Sequence, residues 1–176
     1  MKTLIEIKNE FIMNKITPTN WLGDSVSRMD TYTQYAQKVN TVVEFGVYTG
    51  VSTCAFLLGN PKKLYSYDIT SEYISILPEL YHYSKENNIE FVFELKNSLE
   101  YGIPNTDLLF IDTVHKKKHT STELELHHIH VNKYIILHDA SQWEGVLKAA
   151  CDFLLNHKNW HIIEHDNKNS GLLVLE

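Results

Sequence analysis

The sequence is poor in cysteine and in arginine, and each scarcity argues against a class of protein. It holds two cysteines, Cys54 and Cys151, and one arginine, Arg28, among 176 residues. Both cysteines lie in apolar stretches with helical spacing, so we expect reduced thiols in the core of a cytoplasmic protein. The formal net charge of −6 argues against a nucleic-acid-binding protein, which usually carries a basic face.

Long apolar runs, internal repeats and Pro- or Gly-rich linkers are also missing. No run approaches the roughly 20 apolar residues that a membrane helix needs, so we expect no membrane contact. Acidic residues interrupt the apolar positions of "MKTLIEIKNEFIMNK", which predicts an amphipathic helix and not a signal peptide. We therefore expect one domain over residues 1–176, with an N-terminal helical segment over 1–40 and a core over 41–176.

What the sequence does contain is an alternation of strand-like and helix-like segments. The predicted strands are short, β-branched or aromatic, and they span 41–45, 63–69, 89–95, 107–112, 133–139, 160–165 and 171–176. Helical patterns lie between them and at about 25–39, so we expect an α/β fold with a mainly parallel sheet of seven strands. Only "DNKNS" separates the last two strands, which predicts a C-terminal antiparallel hairpin.

Three helices carry local signals about their boundaries. Pro78 interrupts the helical stretch "TSEYISILPELYHYSKENN", which predicts a kink or two short helices. Thr120 with Glu123, and Ser141 with Glu144, have the spacing of capping boxes. We therefore expect one helix to open at Thr120 and another at Ser141.

The first strand runs into the loop "EFGVYTGVST", which has glycines at positions 46 and 50. A dinucleotide fingerprint needs a second glycine where Tyr48 stands, and a P-loop needs a lysine after Gly50, so both phosphate-binding interpretations weaken. Glu44 at the end of the strand suits a ligand with positive charge. A generic tight turn between strand and helix remains an alternative for a lone G-x-x-x-G.

Asp68 follows the second strand about 20 residues after the glycine loop, where a carboxylate can accept hydrogen bonds from both ribose hydroxyls. An aspartate that caps a following helix is the alternative. With the glycine loop before it, the ribose interpretation is favoured, and the predicted ligand is a nucleoside without phosphate.

Polar residues also follow the fourth and fifth strands, in "FIDTVH" and "ILHDA". Ligands of open α/β sheets bind beyond the carboxyl ends of the strands, so Asp112, His115, His138 and Asp139 are expected to lie close together. Two carboxylates with imidazole predict a divalent-metal site. The alternative is that Asp139 caps the next helix and His138 is a polar strand end. His115 is also a candidate general base, because imidazole titrates near neutral pH.

Together these motifs resemble the class I S-adenosylmethionine-dependent methyltransferases, from about residue 41 to the C-terminus. The nearest resemblance is to the metal-dependent O-methyltransferases: the catechol O-methyltransferase-like enzymes, and the sugar and antibiotic-tailoring group with the cephalosporin-hydroxylase-like proteins. The glycine loop corresponds to the first motif of the family, "FIDTVH" to its post-strand-four motif and "IILHDA" to its post-strand-five motif. The resemblance implies a Rossmann-like fold with helices on both faces of the sheet.

The resemblance implies contacts to S-adenosylmethionine from the glycine loop and the ends of the neighbouring strands. The implied cofactor-binding residues are Glu44, Gly46, Tyr48, Gly50, Ser52, Asp68, Ile69, Ser98 and Asp112. Ser52 would hold the cofactor carboxylate, with Glu44 at the base of the loop. Asp68 would hold the ribose. Ile69 would lie against the adenine and Ser98 at its edge.

The resemblance also implies a catalytic centre and a metal. Asp112 would bind the cofactor amino group and the metal, with Asp139 as second ligand and His138 as a candidate third. His115 stands where the catechol-type enzymes have a catalytic lysine, so His115 and Asp112 are the implied catalytic residues. The chain departs from the family pattern at Thr113, which replaces a glycine, at Asn97, which replaces an acid, and at Ala140, which replaces a polar metal ligand. The third metal ligand is therefore left open.

The expected function is methyl transfer from S-adenosylmethionine to a hydroxyl of a small molecule, a sugar or a phenol, assisted by Mg²⁺ or another divalent metal. The alternative is a catalytically silent S-adenosylmethionine-binding module that acts through a partner. An NAD-dependent enzyme is disfavoured by Tyr48. The sequence leaves the acceptor open, and it leaves open whether the chain forms a homo-oligomer.

Overall fold

A computed structural model describes residues 1–14 and 22–176 of the chain. The strands are β1 (Thr41–Phe45), β2 (Lys63–Asp68), β3 (Glu90–Leu95), β4 (Thr106–Ile111), β5 (Val131–His138), β6 (Ile162–Asp166) and β7 (Leu172–Leu175). The helices are α1 (Leu4–Asn14), α2 (Leu22–Ser27), α3 (Met29–Ala36), α4 (Val51–Leu58), α5 (Leu77–Glu86), α6 (Lys117–His127) and α7 (Glu144–Asn156), with a 3₁₀ turn at His128–His130. The seven predicted strands are thus confirmed, with ends within two residues of the expected positions.

The strands form one sheet in the order β3-β2-β1-β4-β5-β7-β6. The first five pair in parallel, with Val43 opposite Tyr65 on β2 and Leu109 on β4. Strand β7 lies between β5 and β6 and is antiparallel to both. The expected mostly parallel sheet with an antiparallel hairpin is therefore confirmed, and the strand order reverses direction between β1 and β4.

Helices cover both faces of the sheet, which explains why the central strands are apolar on both sides. Successive residues of a strand point to opposite faces. Val42 accordingly packs in the cluster that contains Tyr32 of α3 and Phe56 of α4, whereas Val43 packs in the cluster that contains Leu124 of α6 and Phe153 of α7. The described parts of the predicted N-terminal helical segment belong to the first of these layers.

Two helix predictions differ from the structure in detail. The expected kink or pair of short helices around Pro78 is wrong, because a single helix, α5, begins at Leu77 and holds the proline in its first turn, where a missing N–H costs no helical hydrogen bond. The predicted helix at 25–39 is interrupted at Arg28, which separates α2 from α3.

Both predicted capping boxes are wrong. Thr120 lies inside α6 and is buried. Ser141 precedes α7, whose first turn receives no cap from any side chain that the structure describes, and the Ser141 hydroxyl donates instead to the Asn167 side chain. A reciprocal pair does open α1: the Glu6 carboxylate accepts from the Thr3 N–H at 2.7 Å, and the Glu6 N–H donates to the Thr3 hydroxyl at 3.2 Å.

The two thiols have different surroundings. Cys54 is buried in the core, as predicted, but Cys151 is exposed on α7, so the prediction of a core position is wrong for it. Both are free thiols. In the part of the chain that the structure describes, no helix combines the length and apolarity needed to cross a membrane.

Candidate active site

A cavity of about 580 Å³ opens beyond the carboxyl ends of β1, β4 and β5. This is where the strand order changes direction, and ligands of open α/β sheets bind at such points. The loop after β1, the segment after β4 and the segment after β5 form most of its wall. Of the predicted site residues, the wall includes Gly46, Tyr48, Ser52, Asp112, His115, His138 and Asp139.

The glycine loop has a backbone that few other sequences could adopt. Gly46 has φ of 86°, and a Cβ there would lie 1.9 Å from the carbonyl oxygen of Asp112. Only glycine therefore allows the loop to approach the end of β4 this closely. Gly50 has φ of 85° and precedes α4. The backbone of Tyr48 is also in the left-handed region, with φ of 49°, where a residue with a side chain is strained.

The Asp68 side chain holds the glycine loop in place through hydrogen bonds to the backbone of the loop. Its Oδ2 accepts hydrogen bonds from the N–H groups of Val47 at 2.8 Å and Tyr48 at 2.9 Å, and its Oδ1 accepts from the Thr70 N–H at 3.1 Å. The helix-cap alternative is wrong, because no helix begins between Asp68 and Leu77, a stretch that the structure describes in full. Asp68 lies behind the loop and outside the cavity wall, and its ribose contact stays a prediction.

Glu44 lies beneath the loop and is fully buried. Its carboxylate accepts hydrogen bonds from the hydroxyls of Ser52, Thr53 and Ser66, at 2.5, 2.7 and 2.6 Å. Burial outweighs these three bonds and raises the pKa of Glu44 to about 7. Glu44 joins β1, β2 and α4 at the base of the loop, where the sequence placed it, and its part in cofactor binding stays a prediction.

The polar residues after β4 and β5 meet at the inner end of the cavity, as expected. His115 Nε2 lies 2.6 Å from Asp139 Oδ2 and 3.4 Å from Asp112 Oδ1. His138 Nδ1 lies 3.4 Å from Asp112 Oδ2 and 3.3 Å from Asp139 Oδ1. Asp139 has φ of 61°, so the backbone turns sharply at the end of β5 to bring its carboxylate to this point.

Asp24 of α2 completes this cluster, and sequence reasoning missed it. Its Oδ2 lies 3.1 Å from His138 Nε2, and its carboxylate also accepts from the Ser170 hydroxyl. Arg28, one turn later, lies 3.4 Å from Asp24 and 3.0 Å from Asp166. In the sequence, Asp24 is only an acidic residue near the start of a predicted helix, which is a common pattern without functional meaning.

The charges of the cluster stabilise one another. Burial would raise the pKa of the Asp112 and Asp139 carboxyls, but the neighbouring imidazoles outweigh it and lower both. Burial would lower the pKa of His115, but hydrogen bonds to Asp112 and Asp139 raise it to about 9. The pKa of His138 is raised as well, by Tyr32 and Asp112 against the effect of burial. His115 is therefore protonated at neutral pH in this arrangement, and its role as a general base stays a prediction.

Ile69 and Ser98, like Glu44, Gly50 and Asp68, lie outside the cavity wall, and their cofactor contacts stay predictions. Ile69 is 77% exposed. The Ser98 hydroxyl donates to Glu123 at 2.6 Å, and the Thr113 hydroxyl donates to the same carboxylate at 2.8 Å. Glu123 is fully buried on α6, with a pKa that burial raises, and it joins the segments after β3 and β4. Sequence reasoning gave Glu123 only a capping role, although its spacing from Leu124 and Thr120 marks the buried face of α6.

No protein-family model matches this sequence, and no curated protein is similar to it in sequence. Solved structures do match. An O-methyltransferase from Bacillus cereus in complex with S-adenosylhomocysteine is 14% identical, with a TM-score of 0.67 over 98% of this chain and 89% of that one. The S-adenosylhomocysteine-bound methyltransferase PaMTH1 of Podospora anserina is also 14% identical, with a TM-score of 0.60 over 98% of this chain and 86% of that one.

The chain has a Rossmann-like methyltransferase fold. A ribosomal protein L11 methylase from Lactobacillus delbrueckii subsp. bulgaricus matches as well, at 15% identity and a TM-score of 0.57 over 85% of this chain and 78% of that one. At such identities the match is one of fold. Since the matching proteins include an O-methyltransferase and a protein methylase, the fold by itself leaves the acceptor open.

Proposed function

We propose that the chain transfers a methyl group from S-adenosylmethionine to a hydroxyl of a small molecule, with assistance from a divalent metal. One observation carries the proposal: the glycine loop and a cluster of three carboxylates and two imidazoles share a single cavity at the switch point of a methyltransferase fold. A generic tight turn after β1 would account for the glycines, but not for this cluster beside them.

The loop and the acidic residues suit the proposed cofactor. S-adenosylmethionine, when bound, supplies a methyl group carried on a positively charged sulfur. Gly46 keeps the loop backbone close to the end of β4, and Asp68 holds the N–H groups of Val47 and Tyr48 in place. Asp112 faces the cavity beside this loop, where it can bind the cofactor amino group. Among the described residues, the cavity wall contains no lysine or arginine, which favours a cationic over an anionic ligand.

The donor set fits a divalent metal. Asp139 belongs to two groups whose ligand atoms lie within 4.8 Å of one another, one with Asp112 and His115 and one with Asp24 and His138. Neither nitrogen of the buried His138 ring makes a well-oriented hydrogen bond to any described atom, so this imidazole can bind an ion. The carboxylates suit Mg²⁺ or Mn²⁺, and the imidazoles admit Zn²⁺.

Within this donor set we propose Asp112, Asp139 and His138 as ligands, and Asp24 adds a carboxylate that Ala140 cannot supply. A bound cation would lower the pKa of the acceptor hydroxyl, as it does for bound water. His115 Nε2 lies 2.6 Å from Asp139 and His138 Nδ1 lies 3.4 Å from Asp112, so the positive charges of the two protonated imidazoles are those that a bound cation would replace.

Aromatic rings at the cavity support a ring-shaped acceptor. The Trp143 indole stacks on His115 with ring centroids 5.3 Å apart and an interplanar angle of 12°. Trp143 and Tyr48 both line the cavity and are 37% and 53% exposed. Exposed aromatic faces beside a polar centre suit a phenol, which can stack on them, or a sugar, whose C–H groups can pack against them.

The test combines calorimetric binding of S-adenosylmethionine with a search for S-adenosylhomocysteine release in the presence of Mg²⁺ or Mn²⁺ and a panel of phenols and sugars. We expect binding, and release with at least one acceptor class. EDTA should stop the release and added metal should restore it. Asp112→Asn should lower the rate by about 100-fold or more, because loss of a ligand exceeds the roughly 10–100-fold effect of outer-shell changes. Asp152→Asn, on the exposed face of α7, is the matched control.

Three outcomes contradict different parts of the proposal. Absence of S-adenosylmethionine binding would exclude it altogether. Binding without release for any acceptor would favour the alternative, a silent cofactor-binding module that acts through a partner. Release that persists in the presence of EDTA and in the Asp139→Ala variant would contradict the role of the metal, but it would leave the proposed methyl transfer standing.

A further inference from the structure

A second group of metal-ligating side chains lies away from the cavity. We call it the basal cluster; it consists of Glu125, His128 and His157. His157 Nε2 lies 3.0 Å from Glu125 Oε2 and 3.1 Å from Glu125 Oε1. The rings of His128 and His157 have centroids 4.2 Å apart. One ligand atom from each residue lies within 4.8 Å of the other two.

The cavity lies at the carboxyl ends of the parallel strands, and the basal cluster lies toward their amino ends. Helices α6 and α7 both begin beside the cavity, where the Gly145 position abuts the backbone of His115 and Lys117. Both helices then run back along the sheet toward the amino ends of the parallel strands. Glu125 is near the end of α6, His128 opens the 3₁₀ turn and His157 directly follows α7. The inference is therefore independent of the proposed function.

Packing fixes both imidazole rings. Phe153 stacks on His157 with centroids 4.4 Å apart and an interplanar angle of 28°, and it meets His128 edge to face at 5.2 Å. A shared aromatic support of this kind restricts the two rings before any ligand binds. Across residues 1–14 and 22–176, the only ion-pair partner of Glu125 is His157. No lysine or arginine in that part of the chain neutralises the carboxylate.

We propose that the basal cluster binds a divalent transition-metal ion, with Zn²⁺ the preferred species. Two imidazole nitrogens and one carboxylate oxygen form a ligand set that suits Zn²⁺, whereas Mg²⁺ and Ca²⁺ prefer oxygen ligands alone. A simple Glu125–His157 ion pair would explain two of the residues but not the second imidazole within ligating distance. The fourth position of a tetrahedral ion would be taken by water. The bound ion would join the ends of α6 and α7.

The test is a calorimetric titration with zinc sulfate in a background in which both ligand groups at the cavity are incomplete. Asp139→Asn provides this background, because Asp139 belongs to both groups at the cavity. We expect one remaining zinc site. His157→Gln and His128→Gln should each weaken it more than the roughly 10–100-fold that outer-shell changes produce. His130→Gln, at a half-buried histidine of the same 3₁₀ turn, is the matched control and should bind zinc with unchanged affinity.

A thermal-unfolding measurement provides the second readout. Zinc should raise the melting temperature of Asp139→Asn and of Asp139→Asn combined with His130→Gln, and it should leave that of Asp139→Asn combined with His157→Gln unchanged. Glu125→Gln keeps the shape of the third ligand, and it tests the cluster even if a histidine variant folds poorly. The proposal is wrong if no zinc binds in the Asp139→Asn background. It is equally wrong if the ligand variants and His130→Gln bind with the same affinity. Neither result would affect the proposed methyl transfer.

Discussion

Replacement of Glu44 by glutamine should change how the stability of the protein depends on pH. The side chain is fully buried, and burial raises the pKa of its carboxyl from the ordinary value of 4.5 to about 7. Between these values the folded chain binds more protons at this position than the unfolded chain does. The contribution of Glu44 to stability is therefore fully present below pH 4.5 and falls as the pH rises to about 7.

The size of the effect follows from the pKa difference. Each unit corresponds to about 1.4 kcal/mol, so the contribution falls by about 3 kcal/mol over the whole window, and by about 2 to 3 kcal/mol between pH 5 and pH 8. Glutamine has the same shape and does not titrate. Relative to the wild type, the Glu44→Gln variant should therefore become more stable by about 2 to 3 kcal/mol as the pH increases from 5 to 8.

The assay is urea unfolding of both proteins at several values between pH 5 and pH 8, with the difference in the free energy of unfolding as the measured quantity. This difference cancels the other groups that titrate in the same range. Glu72→Gln, at an exposed position, is the control and should show a constant difference from wild type. Parallel curves for Glu44→Gln and the wild type would refute the reasoning, since they would mean that Glu44 titrates alike in the folded and unfolded chains.

Three further predictions concern the loop after β1. Gly46→Ala should lower the free energy of unfolding by about 2 to 4 kcal/mol, because the added Cβ would meet the Asp112 carbonyl. The control Gly102→Ala, where no described atom lies within 4 Å of the added Cβ, should change the free energy of unfolding by less than about 0.5 kcal/mol. Urea unfolding of both variants measures these changes. Asp68→Asn should weaken calorimetric S-adenosylmethionine binding by about tenfold or more, because a charged acceptor is lost, and unchanged affinity would contradict the ribose role. Tyr48→Gly should be more stable to urea than Tyr48→Ala by about 1 kcal/mol, because only glycine is unstrained at φ of 49°; the reverse order would contradict the strain.

Periodicity and turn chemistry predicted the sheet well because both are local. The strands buried on both faces have continuous apolar sequences, and a five-residue connection leaves a hairpin as the only way to join β6 and β7. The parallel topology then brings the ends of β4 and β5 together. For this reason the order of strands and helices is enough to predict that Asp112, His115, His138 and Asp139 meet.

The failures share a different cause, which is that sequence spacing does not reveal partners. Ser141 has capping spacing, but Asn167 from a distant loop takes its hydroxyl. Ser98 follows β3, and its spacing gave no sign that its hydroxyl donates to Glu123 on α6. Asp24 and Arg28 are held beside the cavity by hydrogen bonds with residues of the C-terminal hairpin. Tertiary contacts of this kind leave no signal in a single sequence.

The contacts of Asp24 and Arg28 also bear on the order in which the molecule can be assembled during synthesis. Arg28 donates to Asp166 and to the Lys168 carbonyl, and Asp24 accepts from Ser170, all of which belong to the final hairpin. A ribosome makes Asp24 and Arg28 long before it makes the hairpin that they contact. The parallel strands can pair while the chain is still growing, but the acidic end of the cavity can close only after the last hairpin emerges. An unfinished chain would thus have most of the fold and an incomplete site.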